Sequence, residues 1–151
     1  MADHIERIGQ AMVHFISTTD AASLNWKQTA ENGESTRTVL EVAAECAATN
    51  RLFAALLRGE ADTKPFSFHF DEAEPAKEAL ISSSKELAQA VLGTDDDVFE
   101  REYIHPVRGP LLGKILMMGA YRNMAYHSGQ INYIQMLGGD SEFHVPPTWL
   151  K

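Results

Sequence analysis

Apolar residues return every three or four positions at the start of the chain, at Ile5, Ile8, Met12, Phe15 and Ile16. That spacing lines up one face of a helix and predicts a first helix over about Asp3 to Thr18, with Asp20 placed to cap a continuation through Leu24 and Trp26. Glu31-Asn32-Gly33-Glu34 reads as a loop. Ser35 or Thr36 then caps a second helix running to about Arg58 and Gly59, with the stripe Val39, Val42, Cys46, Thr49, Phe53, Leu56 and Leu57. Phe66, Phe68 and Phe70 alternate with Ser67 and His69, a strand pattern. No partner strand is evident, so 61–71 is expected to be an extended connection whose phenylalanines plug the bundle. Pro75 opens a third helix, with Leu80, Ser84, Leu87 and Val91 inward and an end near Gly93. Asp95-Asp96-Asp97 reads as a solvated loop and the start of the next helix. His105 to Gly109 form a loop, and Pro110 opens a fourth helix that stops at Gly138-Gly139. The expected fold is all-α, a single four-helix-bundle domain over 1–151 with one or more long crossover connections.

The fourth helix carries the polar anomaly. At about 100° per residue, Leu112, Ile115, Leu116, Ala120, Ile131, Ile134 and Leu137 share one arc, and Lys114, Ser128, Asn132 and Gln135 fall opposite. Asn123, His127 and Gln130 project within the apolar arc. An unpaired buried polar group costs roughly 1–3 kcal/mol, so these residues must bond one another, water, a metal or a ligand. The second helix supplies a counterpart, because Glu45 falls among Val42, Thr49, Leu52 and Leu56. A carboxylate there needs a metal or a base, Arg51 and Arg122 being two that are available. Asn123 and His127 stand four apart, one turn apart on the same face, a spacing at which two side chains can grip one ion. The alternative is a set of hydrogen-bonded core residues. His69 and His105 are expected in solvent-exposed loops, Met117, Met118 and Met124 in the core, and Cys46 in the core beside Glu45.

Composition narrows the function classes. A net charge of −8, with lysines and arginines scattered, disfavours a phosphate backbone and hence nucleic acid as a partner. The single cysteine excludes an internal disulfide framework and fits a cytoplasmic setting. The N-terminal stretch carries charged residues among its apolar ones, so no signal peptide or membrane span is expected there.

Two segments bear a family likeness. Tyr126-His127-Ser128-Gly129-Gln130-Ile131-Asn132-Tyr133-Ile134, followed by Leu137-Gly138-Gly139-Asp140, resembles the fourth-helix signature of the DinB/YfiT-like family. Thr38-Val39-Leu40-Glu41-Val42-Ala43-Ala44-Glu45 resembles its second-helix motif. The resemblance implies a four-helix bundle, often a homodimer, that holds a divalent metal on three histidines. One comes from the second helix and two, spaced four apart, from the fourth. It also implies a hydrolase, or a transferase or isomerase acting with a low-molecular-weight thiol on a small-molecule substrate. This chain departs from the pattern at two of the three ligand positions, where Glu45 and Asn123 stand, and keeps His127. The implied site is therefore Glu45, Asn123 and His127 around zinc, nickel, iron or manganese, with Gln130, Tyr126 and Thr49 lining the pocket. The alternative is a metal-free, small-ligand-binding or stress-associated bundle.

Overall fold

The computed structural model describes residues 1–60 and 63–150. Its long helices are α1 (Ala2–Thr18), α3 (Val39–Leu57), α4 (Ala73–Leu92) and α5 (Gly113–Leu137); α2 (Ala21–Leu24) is a single turn capped by the Asp20 carboxylate. α4 packs against both α3 and α1, and α5 closes the other side by touching the same two helices. Helices consecutive in sequence, α1 with α3 and α4 with α5, thus stand on diagonals of the bundle. The connections 19–38 and 93–112 are the long crossovers that this arrangement requires.

The second long helix starts later than the sequence suggests. Thr36 is committed to the preceding loop, where its hydroxyl accepts from the Gln28 amide at 2.9 Å and its own amide donates to the Gln28 carbonyl at 2.8 Å. The cap falls instead to Thr38, whose Oγ1 accepts from the Glu41 amide while Glu41 Oε2 accepts from the Thr38 amide. This reciprocal pair satisfies two otherwise orphaned donors. It also fixes the chain at Arg37, immediately before the helix.

The fourth long helix does not open at Pro110. Residues 102–112 form an antiparallel hairpin, β1 (Glu102–His105) with β2 (Gly109–Leu112), and Pro110 lies in its second strand. Gly109 supplies the positive φ of 76° at the turn. Helix α5 begins at Gly113, where a Cβ would lie 2.0 Å from the Val98 carbonyl oxygen, so only glycine lets the 3-10 turn Asp96–Phe99 sit against the helix start. In the segment before α4, Phe68 and Phe70 pack on the core and on each other, whereas Phe66 is exposed. Residues 63–70 are extended without strand pairing, and the expectation for 61 and 62 lies outside the described residues.

The single-arc wheel of α5 is corrected in detail. Ile115 and Leu137 are exposed, whereas Ser128 and Gln135 are buried. The reason is that α5 lies in the angle between α1 and α3 and buries two faces. Gln135 is satisfied by α1 and its end, its Nε2 donating to the Phe15 carbonyl at 3.1 Å and to the hydroxyls of Thr18 and Thr19. Asn50, also fully buried, donates to Ser83, Ser84 and Met124 Sδ across three helices.

α1 meets α4 closely at Gly9, where a Cβ would lie 2.3 Å from Ser84 Oγ and 2.8 Å from Ser84 Cβ. In an open helix Gly→Ala stabilises by up to about 1 kcal/mol. Here the sign is expected to reverse: Gly9→Ala costs roughly 1–3 kcal/mol in urea unfolding, by overpacking, and Ser84→Gly in the same chain recovers part of the loss. A stabilised Gly9→Ala variant would contradict the packing described.

Candidate functional site

Glu45 sits midway along α3, at the edge where the helix turns from core to surface, with its side chain one-third exposed. One carboxylate oxygen, Oε2, meets the guanidinium of Arg37, and the other, Oε1, lies 3.6 Å from His127 Nε2 on α5. Neither Arg51 nor Arg122 is its partner. Arg51 faces Glu86 and the ring of Phe68, and Arg122 reaches Met118 Sδ. Arg37 comes from the loop before α3, placed there by the Thr38 cap and by the Gln28–Thr36 pairing.

His127 is buried and held from behind. Its Nδ1 is 2.5 Å from Gln130 Oε1, and Gln130 Nε2 is 3.3 Å from the Tyr126 hydroxyl. The Tyr126 ring stands edge-on to the imidazole at 5.3 Å between centroids. A proton on Nδ1, donated to Gln130, leaves Nε2 as a lone pair facing Glu45. Burial lowers the His127 pKa against the opposing pull of Gln130, and the Arg37 charge lowers it further. The ring is therefore neutral at neutral pH.

The other expected residues fall nearby, with different roles. Asn123 is half-buried and its Nδ2 faces Cys46 Sγ at 3.6 Å. Burial raises the Cys46 thiol to about 12, which keeps it protonated and unreactive as a nucleophile. Thr49 does not join His127; it lines a separate cavity on the far side of Glu45. Tyr126, two-thirds exposed, touches the site through Gln130 and forms part of its outer wall.

Two cavities meet at Arg37. The larger, about 660 Å³, lies between α3 and the 65–68 segment and is lined by Glu41, Glu45, Thr49, Phe53, His105 and Arg108 among others. The smaller, about 370 Å³, is lined by Trp26, Tyr126, His127, Gln130, Tyr133 and apolar residues of α3 and α5. Arg37 lines both. His105, expected in a solvated loop, is buried at the end of β1. Its Nδ1 accepts from the amides of Val107 and Arg108 at 3.1 Å each, and its ring meets Phe53 edge-on. His69 is exposed, as expected.

Sequence reasoning found Glu45, His127 and Gln130 and missed Arg37, which lies outside any helical stripe. Among the described residues, no group of three His, Cys, Asp or Glu side chains converges as a metal cluster. The donors of ligating type at this site are Glu45 Oε1 and His127 Nε2.

The chain superposes on a DinB-like protein of Bacillus subtilis, YjoA, with a TM-score of 0.68 over 94% of each chain, at 14% sequence identity. The fold is DinB-like. At that identity the likeness concerns the fold alone, in which α1, α3, α4 and α5 are the four helices of the bundle. No protein-family model and no curated protein matches the sequence. Among the described residues no helix is long and apolar enough to cross a membrane.

The two buried histidines carry a pH signature. Burial lowers the folded-state pKa of His127, and burial followed by the Arg108 charge lowers that of His105. Their unfolded values lie near about 6.5, so below that pH the unfolded chain binds more protons than the folded one. Their contribution to stability is complete above about pH 6.5 and is lost as pH falls toward the folded pKa values. Urea midpoints measured from pH 7.5 down to about 5.5 are expected to decline, with a shallower decline in His127→Gln. An identical slope in that variant would show that His127 is not held neutral by the fold.

Proposed function

We propose that this DinB-like bundle binds a small molecule at the Arg37–Glu45–His127 site without a resident metal. The observation that carries the reading is the Arg37 guanidinium on the Glu45 carboxylate. A divalent ion held by Glu45 and His127 would sit beside a fixed positive charge, with two strong protein donors where catalytic zinc sites use three. Asn123, the remaining position of the implied ligand set, is a weak ligand and is turned with its amide nitrogen toward Cys46. The donor set therefore does not fit a resident divalent ion, and the guanidinium supplies the charge that Glu45 needs.

One observation favours a second reading, a metal-dependent hydrolase or low-molecular-weight-thiol transferase. With Nδ1 bonded to Gln130, His127 presents Nε2 as a lone pair toward Glu45, the tautomer of a metal-ligating histidine oriented from behind by a hydrogen bond. In that reading a bound ion would lower the pKa of water or thiol at the site.

Melting temperature separates the two. Protein purified without a histidine tag and treated with chelator is expected to melt within about 1 °C of the same protein given excess zinc, nickel or manganese, because a ligand that does not bind the native state cannot stabilise it. A rise of many degrees with any of these ions, abolished by Glu45→Ala or His127→Ala, would establish the metal site and overturn the metal-free reading.

A further inference from the structure

We propose that the smaller cavity binds a small organic acid, one carboxylate on a flat aromatic or similarly apolar body, with Arg37 as the anchor. This rests on the metal-free reading above and specifies its ligand.

Charge is the first argument. Among the described residues lining this cavity, Arg37 is the only charged one, and no Asp or Glu lines it. The larger cavity differs, because Glu41 and Glu45 line it together with Arg37 and Arg108, so an anion there would meet two carboxylates. The smaller cavity thus offers a guanidinium whose own counter-ion, Glu45, is not on the cavity wall.

Shape and surface are the second argument. Trp26, Tyr126 and Tyr133 form aromatic walls, and Val42, Ile134 and Leu137 add apolar surface. Trp26, Tyr126 and Tyr133 are 37%, 66% and 60% exposed, so a flat ligand would cover rings that now face water. A volume of about 370 Å³ lies within the range of small-molecule pockets and accommodates a ring with a short acid arm.

The state of Arg37 is the third argument. Arg37 meets Glu45 through its guanidinium and its side chain is 58% exposed, so the contact leaves part of the group open to a ligand. A guanidinium is a planar fork of five N–H donors, more than one carboxylate contact consumes, and it can hold a second carboxylate through two parallel N–H bonds. Glu45 then acts as a positioning residue. It fixes the guanidinium before the ligand arrives, so less side-chain freedom is lost on binding. Thr36 and Gln130, on the same wall, offer polar groups beside the carboxylate position.

Calorimetric titration of the full chain in chelator-treated buffer tests this, with phenylacetate as probe and phenylacetamide as its uncharged counterpart. Phenylacetate is expected to bind at least about tenfold more tightly than the amide, since the charge-assisted pair is absent from the latter. Arg37→Gln is expected to abolish that preference, and Arg37→Lys to keep part of it. If Arg37→Gln fails to fold, the acid-to-amide ratio in the unaltered chain and in Arg37→Lys decides. Equal binding of the two probes would overturn the acid assignment while leaving a ligand-binding pocket in place. Binding of neither would also overturn the proposal, and the metal-dependent melting experiment then shows independently whether the metal-free reading falls with it. A preference for phenylacetate that survives Arg37→Gln would overturn the role given to Arg37.

Discussion

A carboxylate on the inner edge of a helical bundle loses part of its hydration and has to be met by positive charge or by donors. Glu45 is such a carboxylate, and the organisation of the site follows from how it is met. Its Oε2 lies against Arg37 and its Oε1 faces His127. The first contact requires the loop before α3 to deliver a guanidinium at one place. The Thr38–Glu41 capping box and the Gln28–Thr36 pairing do so. The second, at 3.6 Å, supplies neither charge nor a donor, because the neutral imidazole gives its proton to Gln130 and turns a lone pair toward Oε1, so the compensating charge comes from Arg37. Since Arg37 is more than half exposed, the pair itself contributes little to stability. Its consequence is positional: it fixes a charged side chain where two cavities meet.

The same charge explains why a DinB-like fold need not carry DinB-like chemistry here. The histidine site that the sequence resemblance implies would present neutral donors for a divalent cation to unite. Glu45 and Asn123 stand at two of those implied positions with different charge and donor strength, and a guanidinium already compensates the carboxylate. Cys46, the nearby thiol, is kept protonated by its apolar surroundings and adds no anionic ligand. A fold hosts unrelated functions, so the chemistry of a site follows from its residues and not from the architecture.

The helical periodicities were legible because long amphipathic helices repeat their signal over several turns. α1, α3 and α4 lie close to their expected spans for that reason. Boundaries set by single hydrogen bonds were less legible: Thr38 takes the cap from Ser35 and Thr36 because Thr36 is occupied in the loop, and α5 begins at Gly113 because a hairpin intervenes. The hairpin left no such signal: Tyr103 and His105 are buried while Glu102 and Ile104 are exposed, so polarity along the strand does not follow burial, and two four-residue strands are too short to stand out. Of the site, the inward Glu45 and His127 could be inferred from the wheel. Arg37 could not, because a loop residue has no periodic phase that reports where its side chain goes. Ser128 and Gln135 fall opposite the apolar arc of the wheel and are nevertheless buried, because α5 buries two faces.

On the metal-free reading a guanidinium, rather than a metal ion, answers the Glu45 carboxylate. A crystal structure of protein grown with excess zinc, with anomalous data collected at the zinc edge, tests it most directly. The expected result is the Arg37 guanidinium in hydrogen-bonding contact with Glu45 and no anomalous peak between Glu45 and His127. An anomalous peak bonded to Glu45 and His127, with Arg37 displaced from the carboxylate, would contradict it.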